Sequence, residues 1–283
     1  MSEHDHDALR RALQRNASLT ATDLSEFSFD DDTPDSAQFM NCSADSTRFV
    51  GGGLALSRWT TTRFSRCEFA NVNFSGARFE ECRFFDAERA QGCTFRFCDL
   101  RGAVFRNCDL MLTTFNACEL WDVTFSDCRM SGVMFEKPAF AFSSARTRSK
   151  KPVRLAGTFE RCRMDNAVLR ETDLSSLRIL DCDLSGAELQ STSLVNASLR
   201  GSDLSHAALR LADLSGADLR GADLTGFDLQ DIKSVSGLQI SASQQHHLLR
   251  SLGIDVFADE ALRVAAALRC VDRGVYAKLS MTF

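Results

Sequence analysis

Between residues 213 and 229 the chain reads DLSGADLRGADLTGFDL, an Asp-Leu pair at every fifth step. An α-helix returns an apolar residue to one face about every 3.6 residues and a half-buried strand about every two, so this period fits neither. It fits a unit that turns a corner each time it is repeated. A repeat of this kind decides the fold before any single residue is read.

Leu stands at every fifth position from Leu229 back to Leu184, and Ile179, Leu174, Leu169, Met164 and Phe159 continue the row. Phe is the usual large residue of the repeat earlier, at Phe95, Phe105, Phe115, Phe125 and Phe135, and before that at Phe49, Phe64, Phe69, Phe74, Phe79 and Phe84, with Trp59 among them. Two residues before most of these large side chains stands a small one, such as Ala222, Ala217, Cys162, Cys118 or Cys98. Alternate residues of a strand share a side, so the large and the small residue point inward together. The remaining pair turns the chain through about a right angle. Four such units close a square coil, and coils stack at the strand spacing of roughly 4.8 Å, so about 10 coils make a rod on the order of 50 Å long. Each coil buries its inward residues against its neighbours only.

The words A-D-L-S-G, A-D-L-R-G and A-D-L-T-G resemble the pentapeptide-repeat family, A-(D/N)-L-x-x, and the resemblance runs over roughly residues 17–231. It implies an all-β solenoid, a right-handed quadrilateral β-helix, in keeping with the handedness of parallel crossovers. Residues 1–16 are then expected to cap it with a short helix, Leu9 and Leu13 on one face, and residues 232–283 to form a C-terminal module.

Ten of the 11 cysteines occupy the small inward position, all but Cys270, with Cys98 under Cys118 and Cys108 under Cys128. They read as reduced core residues, since free Cys packs as a small hydrophobe. No cofactor or metal is expected. The net charge of −5 argues against direct binding to nucleic acid by phosphate neutralisation. The start, MSEHDHDALRR, lacks the apolar segment of a secretory signal, and no run of 18 apolar residues occurs. A cytoplasmic protein without a membrane partner is the expectation.

The register breaks in three places. Residues 30–36, DDDTPDS, put Pro34 where a large residue is due; the step from Phe84 to Phe95 is eleven, read as a bulge-like extra residue; and residues 136–156 form a basic, Ser-rich insertion with Arg146, Arg148, Lys150 and Lys151, expected to be an exposed loop. Beyond Leu229 the spacing predicts a helix opened by Ser241 and Gln244 at capping-box distance, an apolar helix over 259–272, and a strand ending at Phe283. Leu248, Leu249, Leu252, Leu262, Leu268, Leu279 and Phe283 are the candidates for joining two rods into a homodimer through this module; folding back as a cap is the alternative.

No G-x-S-x-G, H-E-x-x-H, P-loop or dinucleotide fingerprint occurs, and Gly51-Gly52-Gly53 falls inside the repeat phase. An enzyme is not expected. The surface offers rows instead. Asp183, Asp203 and Asp223 fall twenty apart on one wall, Glu188 and Asp228 on another, Asp173 and Asp213 on a third. In the Qnr and MfpA branch of the family, which the tail SASQQHHLLRSLGIDV also resembles, such rows imply a DNA-like surface that binds a type II topoisomerase, DNA gyrase or topoisomerase IV, and shields it from an inhibitor. The same Asp positions serve equally to satisfy backbone groups of the turns. The competing reading is a protein-binding scaffold or adaptor, for instance beside a bacterial secretion machine, using outward residues such as Trp121, Met111, Leu112, Phe97, Leu180, Val195 and Leu211.

Overall fold

A computed structural model describes residue 9 and residues 11–15, 18–25, 35–141, 156–251 and 253–254. Strands of three residues alternate with corners, and the middle residue of each strand is buried between outward neighbours. The first wall stacks eight parallel strands, from Ser18–Thr20 to Arg178–Leu180, and continues through bridges at Ser198, Asp218 and Gln239. The third wall stacks five, from Arg48–Val50 to Met134–Glu136. The second and fourth walls are held mainly by single bridges, such as Asp183 to Asp203 and Asp173 to Ser193. Register places like on like, so Phe105 lies between Phe79 and Phe125, and Phe95 between Phe69 and Phe115.

The core is therefore a set of ladders. On the first wall the ring centroids of Phe79, Phe105, Phe125 and Phe159 follow one another at 4.6, 4.9 and 4.9 Å, with planes within 13° of parallel. Rings of adjacent walls meet edge to face, as Phe105 does with Phe115 at 82°. Both arrangements suit the aromatic quadrupole. After Phe159 the ladders pass to Ile179 and Leu, and the small inward partner becomes mostly Ala, as at Ala187, Ala197, Ala212 and Ala217. The ten cysteines of the rod are buried and free, as their inward phase requires. Their thiols lie near main-chain carbonyls, Cys108 Sγ at 3.4 Å from both Phe79 O and Arg106 O. Burial pushes the Cys93 and Cys108 thiols up from their ordinary range.

Most corners contain a residue in the left-handed region, two after the large residue. Where the wall is held by single bridges the corner closes a four-residue turn, as in Ala103 N to Leu100 O at 3.0 Å with Gly102 at φ 62°. That is the pattern of a type II turn, which demands positive φ at its third residue. Gly216 shows why some corners specify Gly: a Cβ there would stand 2.3 Å from Asn196 Oδ1, which reaches up from the coil below.

The register break between Phe84 and Phe95 is larger than one extra residue. Phe79 pairs with Phe105 where an unbroken coil would offer residue 99, so six residues are inserted. The insertion is accommodated by an antiparallel hairpin, Phe85–Asp86 against Gln91–Gly92, projecting from the corner between the second and third walls. Gly92 is required because a Cβ would meet the backbone of Leu112 at 2.3 Å. The larger break pairs Phe125 with Phe159 in place of residue 145, with Ala141 and Ala156 bridged antiparallel at its base. Arg146, Arg148, Lys150 and Lys151 lie outside the described residues, as do Asp30, Asp31, Asp32 and Pro34, and the segments expected to form the last helix and strand.

Residues 11–15 are helical, with Leu13 buried in the core. At the other end the helix Ala242–Ser251 lies against the last coil. Gln244 joins the two: its Nε2 donates to Leu219 O and Ala222 O at 2.8 and 2.7 Å, while its Oε1 accepts from Ser241 N at 2.6 Å. The capping-box residue thus also satisfies carbonyls that the missing next coil would have taken. No helix among the described residues is long and apolar enough to cross a membrane.

Candidate partner-binding surface

The Asp before each large residue is tied into its corner. Asp183 Oδ1 accepts from Ser185 N at 3.0 Å and from the Ser185 hydroxyl at 2.6 Å. Asp203 accepts from Ser205 N at 2.8 Å, and Asp223 from Thr225 N and Oγ1 at 2.9 and 2.7 Å. Asp173, Asp213 and Asp228 make the same bond two residues on, at 3.0, 3.1 and 2.9 Å. Asn73 does so for Ser75 N at 3.0 Å, so the corner needs the oxygen and not the charge. These Asx turns explain the D/N choice of the repeat from local geometry alone.

The charge left over still has an arrangement. Parallel bridges link Asp183 to Asp203 and Asp203 to Asp223, which places three carboxylates on successive rungs of the second wall. Below them the same column runs Arg63, Arg83, Asp109, Arg129 and Arg163. The wall is thus basic and mixed along its middle and acidic over its last third, a division that counting by twenties misses because the two insertions change the spacing between rungs. A polar groove of about 490 Å³ runs beside the row, lined by Arg163, Asp165, Asp183, Ser185, Ser205 and His206 among others.

The other expected rows are more neutralised. Glu188 pairs with Arg170 at 2.6 Å and Asp213 with Lys233 at 3.4 Å. The Ser215 hydroxyl and amide, with Lys233 adding to them, hold the Asp213 carboxyl below the usual carboxylate range. Asp218 is held down in the same sense, chiefly by Arg220 at 2.7 Å. Both groups favour the folded rod above the ordinary carboxylate range, and this contribution is lost as pH falls through their lowered values. Trp121 is half-buried under the Arg101 guanidinium, 5.3 Å from its ring centroid. Of the outward apolar residues, Phe97, Leu112 and Leu211 are well exposed, and so are Met40, Val50 and Leu56, which the repeat phase alone did not mark as surface features. Leu248 is buried in its own chain's core, and it and Leu249 line an apolar pocket of about 210 Å³ with Leu229, Val235, Leu238 and Ile240. Leu252, Leu262, Leu268, Leu279 and Phe283 lie outside the described residues. Among the described residues no group of three His, Cys, Asp or Glu side chains could hold a metal ion.

Residues 158–190 and 192–231 match the family model for pentapeptide repeats, in 8 copies, on the stretch where the five-residue sides and left-handed corners are most regular. These residues are pentapeptide repeats. The Phe-rich stretch 55–135 matches a second model, the SV2A/B/C luminal domain. Comparison with curated protein sequences gives no match. Among solved structures, this chain is similar to three of QnrB1, a plasmid-mediated fluoroquinolone resistance protein. Two trypsin-treated variants align at 19% and 20% identity, covering 85% of this chain and 97% and 99% of theirs, with TM-scores of 0.62 and 0.64. Full-length QnrB1 aligns at 20% identity over 84% of this chain and 100% of its own, with a TM-score of 0.59. At that identity the likeness is one of fold.

Proposed function

We propose that this pentapeptide-repeat protein is a non-catalytic binding rod whose partner is a type II topoisomerase, DNA gyrase or topoisomerase IV, engaged by DNA mimicry at the C-terminal third of the second wall. The observation that carries the reading is the row Asp183, Asp203 and Asp223 on consecutive rungs. A row of fixed negative charge docks on a basic channel through complementary potential. Its density decides how far the mimicry extends. A duplex carries a charge per roughly 1.7 Å of axis, whereas the row offers one per rung of roughly 4.8 Å. The row is therefore a local anchor and not a full-length substitute for DNA. Asp173, Asp213, Glu188, Asp228, Trp121 and the loop residues Arg146, Arg148, Lys150 and Lys151 are proposed as supporting contacts. The full-length likeness to a fluoroquinolone resistance protein supports the choice of partner.

Purified protein in a gyrase supercoiling assay is expected to inhibit supercoiling, or to shift its sensitivity to a fluoroquinolone, at micromolar concentration. Absence of both effects on gyrase and on topoisomerase IV would reject the reading. Arg63, Arg83, Arg129 and Arg163 on the same wall favour a second one, an adaptor for a protein partner of mixed charge.

The C-terminal module is proposed to join two copies, with the apolar pocket around Val235, Leu238 and Leu249 as part of the contact. A chain ended after Ile254 keeps the Gln244 tie to the last coil, and so separates dimerisation from capping. Light scattering after size exclusion is expected to give a dimer for the full chain and a monomer for the shortened one; two dimers would remove residues 255–283 from the interface.

A further inference from the structure

The second wall holds another feature that the topoisomerase reading does not use. Arg63 and Arg83 occupy bridged rungs and form no ion pair among the described residues. Their backbones are a rung apart, about 4.8 Å, and like charges directly opposite on neighbouring strands are destabilising. Elsewhere on the rod a stacked Arg commonly meets a carboxylate, as Arg66 does with Asp45 at 2.6 Å, Arg129 with Asp109 at 3.3 Å and Arg170 with Glu188 at 2.6 Å.

The pair does not stand on a flat wall. It lines a groove of about 530 Å³ whose side is raised by the inserted hairpin through Phe85, Asp86 and Glu88. That volume is in the range of small-ligand sites, roughly 300–1,000 Å³. The remaining cations of the groove are already neutralised: Arg66 is held between Asp45 and Asp86, the latter at 3.4 Å, and Arg129 by Asp109. Arg63 and Arg83 are left as an unneutralised couple, with Glu88 the one other lining charge outside an ion pair. Two Arg side chains that leave adjacent rungs and line one groove offer guanidinium forks to the several oxygens of one tetrahedral oxyanion, which Arg recognises in bidentate fashion.

We propose that this groove is a binding site for a single phosphoryl group, held between Arg63 and Arg83 and flanked by the hairpin. The source is either inorganic phosphate or the phosphate monoester of a small metabolite. The first wall supplies an internal control, because Arg58 and Arg78 stack in the same register without lining the groove.

Isothermal titration of the full chain in a phosphate-free buffer, with inorganic phosphate in one arm and glycerol 3-phosphate in the other, tests the site. Saturable binding at one site per chain is expected, and the tighter arm identifies the source. The double variant Arg63→Gln/Arg83→Gln is expected to bind about tenfold more weakly or worse, since each lost charge-assisted bond is worth a factor of this order. Arg58→Gln/Arg78→Gln is expected to bind like the parent. Glu88→Gln, which removes a repelling carboxylate, is expected to tighten binding by about two- to fivefold at low salt. Circular dichroism of each variant confirms that the rod is intact. No saturable binding in either arm, or equal loss in the two Arg double variants, would overturn the proposal.

Discussion

Phe105→Ala is expected to lower the stability of the rod by about 4 kcal/mol, the usual size for emptying a fully buried ring site. Phe105 is fully buried, and its ring lies 4.6 Å from Phe79 and 4.9 Å from Phe125, with Phe84, Phe95 and Phe115 within 6.5 Å. The neighbours cannot close the gap, because each is fixed at its height by the main-chain ladder of its own wall. A solenoid is held by contacts between adjacent coils, so the defect also weakens the coupling between the parts above and below it. Guanidinium denaturation is expected to show a lower midpoint and a broadened or two-step transition. Phe105→Leu, which keeps much of the volume, is expected to cost less than about 1.5 kcal/mol. A loss below about 1 kcal/mol for the Ala variant would mean that the ladders relax as the main-chain register does not suggest.

The second expected result separates two duties of the same carboxylates. Replacing Asp183, Asp203 and Asp223 together by Asn retains the side-chain oxygen that accepts from the amides of Ser185, Ser205 and Thr225. Asn73 already makes this bond, so stability is expected to change by less than about 0.5 kcal/mol per site. Binding to the topoisomerase is expected to fall by about tenfold or more, because three charges that face a basic channel are removed. Ala at the same three sites loses the turn bonds as well, at about 1 kcal/mol each. Asn variants that inhibit gyrase as well as the parent would show that the row acts only within the corners. Charge reversal to Lys is the poorer test, since it removes corner bonds and charge together.

The coil was legible in the sequence because its constraint is strict. An inward phase repeats without exception from Leu184 to Leu229, and every one of those Leu except Leu229 is buried. The cysteines were placed for the same reason, since the inward position before a large residue admits little else of similar size. The insertions were harder to see. The step from Phe84 to Phe95 looks like one residue over two repeats, yet it is one repeat plus six inserted residues that make room for a hairpin, because only pairing across coils fixes which wall each residue joins. That misreading hid the column Arg63, Arg83, Asp109, Arg129 and Arg163, which comes together only after both insertions are removed from the count. The double role of Asp was legible in outline from the A-(D/N)-L pattern. What the pattern lacked was the geometry showing that one oxygen is committed to the turn while the charge remains on the wall.

The change from ring ladders to Leu after Phe159 makes the two ends of the molecule mechanically unequal. Each stacked ring pair adds about 0.5–1.5 kcal/mol beyond the area it hides, so coils above the change separate at smaller load than those below it. Pulled from its ends, such a chain peels from the Leu side inward, one winding at a time, while the aromatic half holds its thread. The toughest part of the molecule thus carries the arginine groove, and the carboxylate row rides on the part that yields first.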